Sequence, residues 1–451
     1  MLLPLHGIAS RGDLPLPFSF VVLGAALALT LSFVVLLRAW RQPRFLRLGG
    51  RELPRLTRVV DHPGTRLAAR LLVLAAFAWA GLALLAGQDL LTNPIFGFVF
   101  VWVWVGLVPI SLLLGGFWRA TNPLRTVHAA LCRLAGTDPD QGLLRLPERL
   151  GVWPAALALF GFAWLELVQP DRTTLPVLRV WVLAWLVLGV IGAIVFGQRW
   201  IASADPFETY AGTVAQLSPW ARVDDQTVRG YKGVVPLADH DLRLVNPLAH
   251  LSHWRAPPGA AAVVAALLGS TAFDSFANTS FWIATVQSSA VAPVVWNTLG
   301  LVVMIMVVLG SFSLAAAWMA RYGDRPAAAY PRLMVPSVVP IVIGYAIAHY
   351  ATLLVVEGQR SAISWSDPLG RGWNVFGSAE MGVNAAIFDY PTTVALIQLV
   401  AIVAGHVLGI VCAHELAVRL LPAKHALAGQ LPMLAVMVGY TCAGLVLLFS
   451  P

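Results

Sequence analysis

Ten apolar stretches, each long enough to cross a bilayer, constrain the fold of this chain more than any other feature. They lie at 17–37, 68–87, 95–115, 152–169, 177–197, 258–274, 292–320, 333–356, 391–414 and 427–449. A transmembrane helix needs about 20 mostly apolar residues. With 58% hydrophobic and 12% charged residues and a mean hydropathy of +0.76, the chain is too apolar for a soluble domain. The pattern predicts an all-α polytopic integral membrane protein, with about ten transmembrane helices in a single domain, 1–451.

The positions of the basic residues predict how this domain is oriented. Arg38–Arg70 contains nine Arg, and Lys and Arg concentrate in the cytoplasmic loops of membrane proteins. Alternation then predicts cytoplasmic loops at 38–67, 116–151, 198–257, 321–332 and 415–426, an outer loop at 357–390, and both termini outside. The cytoplasmic segments, together with Arg70, hold 25 of the 30 Lys and Arg. The net charge of +8 therefore fits a multi-pass protein of the plasma membrane, with the lipid bilayer as partner and no nucleic acid.

Two helix pairs resemble a duplication. The segment Gly106–Pro123 aligns with Gly189–Pro206 at an offset of 83 residues, and each copy ends in Asn-Pro or Asp-Pro. Asn and Asp are preferred N-cap residues, so Asn122 and Asp205 are predicted to begin helices that lie along the inner membrane interface. Internal repeats are common in transporters, although two small helix hairpins can also share a composition by chance.

The segment Ala265–Trp282 is an apolar helix that turns polar before it has crossed a bilayer. If the helix enters the membrane near Pro258, Asp274 lies about 22 Å along the axis, which is short of the hydrocarbon thickness of about 30 Å. Ionisable groups inside a membrane are costly and usually face a cavity, a partner or a substrate path. Asp274 is therefore a candidate site residue, next to an interruption predicted at Gly269-Ser270. Alternatively, the helix ends there and Asp274 lies in a hydrated loop.

Glu166 in the fourth span and His349 in the eighth are predicted at the same depth as Asp274. Two carboxylates and an imidazole suit a divalent metal such as zinc or manganese, or iron, and a bound cation makes hydroxide available near neutral pH. We therefore predict Asp274, His349 and Glu166 as catalytic and metal-binding residues, to which His6 and Asp13 would add. The alternative is that Glu166 and His349 make hydrogen bonds between helices.

Two further His lie in the ninth span. His406 is predicted near the middle of the membrane, where it would be a haem ligand, a proton relay or a buried hydrogen-bonding group. His414 is predicted at the cytoplasmic end of the helix, where a capping role is sufficient. The two lie about 12 Å apart along the helix, so one ion cannot bind both.

The segments PLHGIASRGDLPLP, TNPLRT, ADPFETYAG, LLGSTAFDSFANT and FDYPTTVALIQLVAIVAGHVLGIVCAHE carry a resemblance. In them the chain resembles a family of bacterial, chiefly actinobacterial, integral membrane proteins commonly labelled fenitrothion hydrolase. The resemblance implies a membrane-bound enzyme that hydrolyses the aryl ester bond of an organophosphorus triester. It supplies no catalytic motif, so no residue role follows from it.

Three functions are therefore expected from the sequence. The first is a metal-assisted hydrolase of lipophilic organophosphorus esters, with Asp274, Glu166 and His349 in an outer-facing intramembrane site. The second is a transporter with a substrate site at the interrupted helix around Gly269–Asp274. The third is a haem or redox subunit that uses His349 and His406.

Overall fold

The computed structural model describes residues 10–222 and 241–449. In this part of the chain, nine helices are long and apolar enough to cross a membrane, and one bent helix pair makes a tenth span. We number the spans 1 to 10 in chain order: Phe18–Ala39, Pro63–Ala86, the bent pair Pro94–Val103 and Leu107–Leu114, Glu148–Leu167, Leu175–Phe196, Ala260–Ala277, Pro293–Arg321, Ala327–Ser364, Pro391–Leu420 and Ala423–Leu448. Each coincides with a predicted apolar stretch, which confirms the all-α polytopic fold. The orientation of the termini stays a prediction.

Shorter elements connect the spans. The helices outside the spans are Pro54–Asp61, Phe117–Thr121, Pro123–Ala135, Gln198–Ala204, Pro206–Ala215, Pro247–His253 and Ser280–Ser288. Three two-residue strands, β1 (Arg51–Glu52), β2 (Trp220–Ala221) and β3 (Arg243–Leu244), form an antiparallel sheet in the order β1-β3-β2. Arg51 and Trp220 both lie opposite Leu244 in the register. This small sheet joins the segment after span 1 to the long segment between spans 5 and 6.

Spans 6 and 8 form the centre of the bundle. About three quarters of their apolar windows are buried, 78% in span 6 and 72% in span 8, against 11% in span 5 and 17% in span 2. A helix that is apolar on all sides is either buried in a core or exposed to lipid. Spans 2 and 5 therefore contact the bilayer along most of their surface, and the polar side chains in the middle of spans 6 and 8 are buried in protein.

Glycines hold spans 8 and 9 close together. A Cβ added at Gly405 would lie 2.6 Å from the Pro340 carbonyl oxygen, and one at Gly344 would lie 2.4 Å from the Ala401 carbonyl oxygen. Gly409 repeats the contact one turn along span 9, at 2.7 Å from the Ser337 carbonyl oxygen. Small residues spaced by four let membrane helices approach to backbone contact. Span 8 is therefore fixed against span 9.

The predicted interruption at Gly269-Ser270 is wrong, because Ala260–Ala277 is one continuous helix. Gly269 is instead a contact point, where an added Cβ would lie 2.7 Å from the Cα of Ile305 in span 7. The Ser270 and Thr271 hydroxyls donate to the Leu267 carbonyl oxygen at 3.2 and 2.9 Å. The polar groups that suggested a break are thus satisfied within the helix, as is usual for Ser and Thr in apolar helices.

The broken helix is span 3. Phe98–Val103 is a π-helix, and the two halves of the span meet at an angle of 45°. Such π-helical turns are rare and occur frequently at functional sites. The break leaves Trp104 next to spans 4 and 8, where its ring lies 4.9 Å from that of Phe162.

One boundary differs from that predicted. The predicted outer loop 357–390 begins in helix, because span 8 continues to Ser364. The segment Pro206–Ala215, predicted to lie along the inner interface, has eight of its ten residues buried and packs between spans 3 and 4. Its position relative to the inner interface stays a prediction.

The predicted caps and the order of elements around them are confirmed. Asn122 caps Pro123–Ala135 by accepting from Leu124 N at 2.9 Å, and Asp205 caps Pro206–Ala215 by accepting from Phe207 N and Glu208 N. In both copies a glycine with positive φ (Gly115 at 64°, Gly197 at 71°) ends the span, and a short helix follows before the cap. The two segments therefore have the same order of structural elements as well as similar amino-acid sequences.

The glycine contact between spans 8 and 9 gives a stability prediction. Gly405→Ala should destabilise the protein by about 1–3 kcal/mol, because the new methyl overlaps backbone that cannot move aside. The matched control is Gly439→Ala in span 10, where nothing lies within 4 Å of the added Cβ. This control should be neutral or stabilising, by up to about 1 kcal/mol from helix propensity. Thermal unfolding of the two variants in detergent measures the difference, and equal melting temperatures would contradict the contact.

Candidate functional site in the membrane core

Asp274 and His349 form a hydrogen-bonded pair between the two central spans. The His349 Nε2 atom lies 2.8 Å from Asp274 Oδ2, and both side chains are buried. Asp274 is on span 6 and His349 on span 8, so the pair is formed by the two most enclosed helices of the bundle. The alternative of Asp274 in a hydrated loop is thereby excluded. The convergence predicted for these two residues is present in the structure.

A chain of hydroxyl groups continues from the other side of the imidazole. Ser275 Oγ lies 3.3 Å from His349 Nδ1 and 3.1 Å from the Tyr345 hydroxyl. The Tyr345 ring stacks on His349 with an interplanar angle of 5° and centroids 6.1 Å apart. Tyr345 and His349 are four residues apart, so they share one face of span 8. Four side chains from two helices thus form one continuous polar chain.

Tyr350 extends this chain on the far side of Asp274. Its hydroxyl lies 3.5 Å from Asp274 Oδ2, at the outer limit of a hydrogen bond, and its ring packs edge-on against His349 at 4.6 Å. The carboxylates of Glu166 and Asp274 both interact electrostatically with Tyr350, and Trp104 lies beside the Tyr350 hydroxyl. Glu166 is buried near the end of span 4. The break in span 3 therefore borders the polar chain.

The sequence-predicted metal site is assembled only in part. Asp274 and His349 are in contact, and Glu166 lies near them beyond Tyr350. Within 10–222 and 241–449, no three His, Cys, Asp or Glu side chains are grouped so that they could hold a metal ion. Asp13 accepts from the backbone and hydroxyl of Ser10 in the exposed N-terminal segment, and His6 lies outside the described residues. The pair thus has the geometry of a proton-sharing couple rather than of a three-ligand metal centre.

The two His of span 9 have separate environments. His406 donates through Nδ1 to the Ile402 carbonyl oxygen at 2.8 Å. His414 bonds through Nδ1 to Gln430 and through Nε2 to the Trp40 carbonyl oxygen, at 2.9 and 2.8 Å. His414 therefore joins spans 9 and 10 to the segment after span 1. It lies six residues before the end of its helix at Leu420, so it does not have the capping role expected from the sequence.

A second buried polar cluster lies where the two repeated segments meet. The Asn122 Nδ2 group donates to Asp205 Oδ2 at 2.7 Å and to Glu208 Oε2 at 2.9 Å. Arg125 makes a two-pronged ion pair with Glu208, and Trp185 Nε1 donates to Asp205 Oδ1 at 3.0 Å. The caps at equivalent positions thus contact each other directly. Since every group has a partner, we assign this cluster to the assembly of the two helix pairs.

Sequence reasoning missed Ser275, Tyr345 and Tyr350. Ser275 follows Asp274 directly, and the spacing of Tyr345 and His349 places them on one helix face, so a signal was present. Tyr and Ser in apolar helices are too common, however, for that spacing alone to distinguish a polar chain from ordinary packing.

Comparison with protein-family models, with curated proteins and with solved structures finds no match for this chain. Function must therefore be argued from the geometry.

The second cluster predicts a pH effect on stability. Burial raises the pKa of Asp205 to about 6, from 3.8, and the Glu208 carboxylate adds to the increase. The folded protein therefore binds this proton more tightly than the unfolded chain, so the stability from Asp205 falls as the pH rises from about 4 to about 6. Asp205→Asn removes the titration. The melting temperature of the variant minus that of the wild type should accordingly increase over this pH interval.

The matched control for this experiment is Asp324→Asn, since the Asp324 side chain is 86% exposed. The melting temperature of this variant minus that of the wild type should stay constant from pH 4 to pH 7. If the melting-temperature difference between Asp205→Asn and the wild type is constant or decreases with pH, Asp205 does not have a raised pKa in the folded protein.

Proposed function

We propose that this protein is a proton-coupled transporter of the bacterial plasma membrane, in which Asp274 and His349 bind and release the coupling proton. The observation that supports this most directly is their 2.8 Å contact between the two most buried spans. Ionisable groups at such positions are expensive, and in membrane proteins they mark ion and proton pathways. An Asp–His pair accepts one proton without creating an unpaired buried charge.

The hydrogen bonds of the site can all be oriented in one direction. Tyr345 donates to Ser275, Ser275 donates to His349 Nδ1, and His349 Nε2–H donates to Asp274. Protonation of Asp274 reverses the donors along this chain, so a proton can enter at one end and leave at the other. Tyr350 offers the same continuation toward Glu166. Asp274 is therefore linked to the imidazole and hydroxyl chain on one side and to the Tyr350 hydroxyl on the other.

The broken span supports transport over a purely structural role for the chain. Transporters bind their substrates at discontinuous membrane helices. Span 3 breaks beside the Tyr350 hydroxyl. Three aromatic side chains, Trp104, Phe162 and Tyr210, pack against one another there. A lipophilic small molecule with one polar group would fit such surroundings. The substrate site is therefore assigned between spans 3, 6 and 8, rather than at Gly269-Ser270.

Proton binding is testable without a known substrate. Infrared difference spectra of purified protein between low and high pH should contain the carbonyl band of a buried carboxylic acid. Asp274→Asn should remove this band, and His349→Gln should shift its midpoint pH, because the pair shares the proton. Asp324→Asn, which changes an exposed side chain, should leave the band intact. A band that is unchanged in Asp274→Asn would contradict the assignment of the proton to this pair.

Coupling is tested in liposomes that carry a pH gradient and an internal pH dye. A panel of lipophilic carboxylates, amines and neutral alcohols is added in turn, and one class should collapse the gradient in wild-type liposomes. Asp274→Asn and His349→Gln should reduce this rate by about tenfold or more, since loss of a buried partner costs at least about 1.4 kcal/mol. If no solute collapses the pH gradient in wild-type liposomes, or if both variants collapse it as fast as the wild type, the protein is not a proton-coupled transporter of this kind.

A hydrolase is the second candidate, favoured by one observation. Ser275 Oγ, the His349 imidazole and Asp274 Oδ2 stand in the order of a nucleophile, a base and an orienting carboxylate. In an organophosphorus triester, Ser275 Oγ would attack phosphorus as its proton passes to His349. The bond from phosphorus to the aryl oxygen would break, and the aryl oxide would take that proton. Water would then attack the phosphorus bound to Ser275 while its proton passes through His349 to Ser275 Oγ, and the bond from phosphorus to Oγ would break to release the phosphodiester. This scheme agrees with the resemblance to fenitrothion hydrolases and needs no metal.

A fluorophosphonate probe distinguishes this candidate from the transporter. If Ser275 is a nucleophile, the probe should modify wild-type protein, and Ser275→Ala should abolish the labelling. Ser270→Ala is the matched control, because the Ser270 hydroxyl bonds back to its own helix. Absence of labelling in the wild type, or equal labelling of Ser275→Ala, would exclude the serine mechanism.

A further inference from the structure

A crevice between spans 1, 7, 8, 9 and 10 is unusually rich in methionine. Nine residues line it, and four of them are Met319, Met334, Met433 and Met437. The whole chain has only eight Met in 451 residues. Among the described residues, every Met that is fully buried lines this crevice. Ordinary core packing here uses Leu, Val, Ala and Ile, so the concentration of thioethers needs another explanation.

The four methionines come from three different spans. Met319 is near the end of span 7, Met334 is near the start of span 8, and Met433 and Met437 are one turn apart on span 10. Their exposures are between 0 and 2%. A set that the fold collects from three helices into one crevice resembles a ligand set more than a local stripe of one helix.

His406 supplies a second observation. Its Nδ1 donates to a carbonyl oxygen, so in the neutral ring Nε2 carries a lone pair, and this buried nitrogen has no hydrogen-bond partner among the described residues. A buried polar atom without a partner calls for an explanation, such as an ion. His406 precedes Ile410, which lines the crevice, by one turn on the same face of span 9. Metal-binding histidines are commonly held in this way, with Nδ1 on a carbonyl oxygen.

His406 and Met437 also lie at similar heights. Spans 9 and 10 are adjacent and are joined by a short connection after Leu420. His406 is 14 residues before the end of its helix, or about 21 Å. Met437 is 11 residues after Ala426, where the helix of span 10 begins, or about 16 Å. The heights of His406 and Met437 therefore differ by about 5 Å, or one helical turn.

We propose that this crevice binds a monovalent copper ion, Cu(I), through methionine thioethers and the His406 Nε2 atom. Soft sulfur ligands select Cu(I) among the biological metals, whereas Mg²⁺ and Ca²⁺ require oxygen ligands. Four neutral thioethers and a neutral imidazole add no charge to the ion, so a single positive charge is better tolerated here than a divalent cation. The site is separate from the Asp274–His349 pair.

The test is a titration of purified full-length protein with Cu(I) under reducing conditions, in competition with a coloured Cu(I) chelator. The background is a variant in which Cys132, Cys412 and Cys442 are all replaced by Ala, because these three free thiols also bind Cu(I). This background should retain one tightly bound Cu(I) per chain. Replacing both Met319 and Met437 by Leu should weaken the affinity by about tenfold or more, since Leu keeps the volume but removes the sulfur.

The matched control replaces Met304 and Met306 of span 7 by Leu, since neither lines the crevice. Its affinity should equal that of the background. X-ray absorption of the copper-loaded background should give sulfur scattering and one nitrogen, and His406→Leu should remove the nitrogen. No binding by the background, equal affinity in the two double-Leu variants, or a spectrum without sulfur would show that the methionines only fill space. A nitrogen signal that persists in His406→Leu would overturn the role of His406.

Discussion

The structure depends on burying ionisable side chains only as hydrogen-bonded sets. An isolated charge in an apolar interior costs several kcal/mol, and loss of one partner from a buried pair costs about 3–5 kcal/mol. Asp274 meets His349, and Glu208 meets Arg125, at buried positions. These contacts fix how the spans face one another, because a rotated helix would leave a carboxylate in contact with lipid. The apolar runs set the number of helices, and the polar pairs set their arrangement.

Features that depend on local sequence could be predicted. Hydrophobic length defines a span without reference to the rest of the fold, and all ten stretches appear as helices. Capping is similarly local, so Asn122 and Asp205 begin helices as expected. Depth placed Asp274 and His349 at one height, but only the structure brings them into contact. Two costly groups at the same height in buried helices lower each other's cost when they meet.

Features that depend on contacts between spans could not be predicted. Gly269 and Ser270 suggested a break, but the glycine is a contact with span 7 and the hydroxyl is satisfied within its helix. The real break, between Val103 and Leu107, follows a π-helical run of Val, Phe and Trp, and Gly106 and Pro109 beside it are local signals that the sequence analysis did not use. The burial of Pro206–Ala215 against spans 3 and 4 likewise cannot be read from its own residues. Ser275 gains significance only from the position of Tyr345 on another helix.

The two faces of span 8 differ in a way that bears on mechanism. On one face, Gly344 meets span 9 backbone against backbone, which leaves no space for sliding. On the other face, span 8 packs on the π-helical half of span 3, where Trp102 Nε1 donates to the Gly358 carbonyl oxygen at 3.2 Å. A π-turn returns to α-helix by shifting its hydrogen bonds, a smaller change than separating packed glycines. If the proposed proton coupling holds, rearrangement on protonation is expected in span 3, while span 8, which carries His349, stays fixed against span 9. The polar chain would then act as the stationary partner, and the broken helix as the moving one.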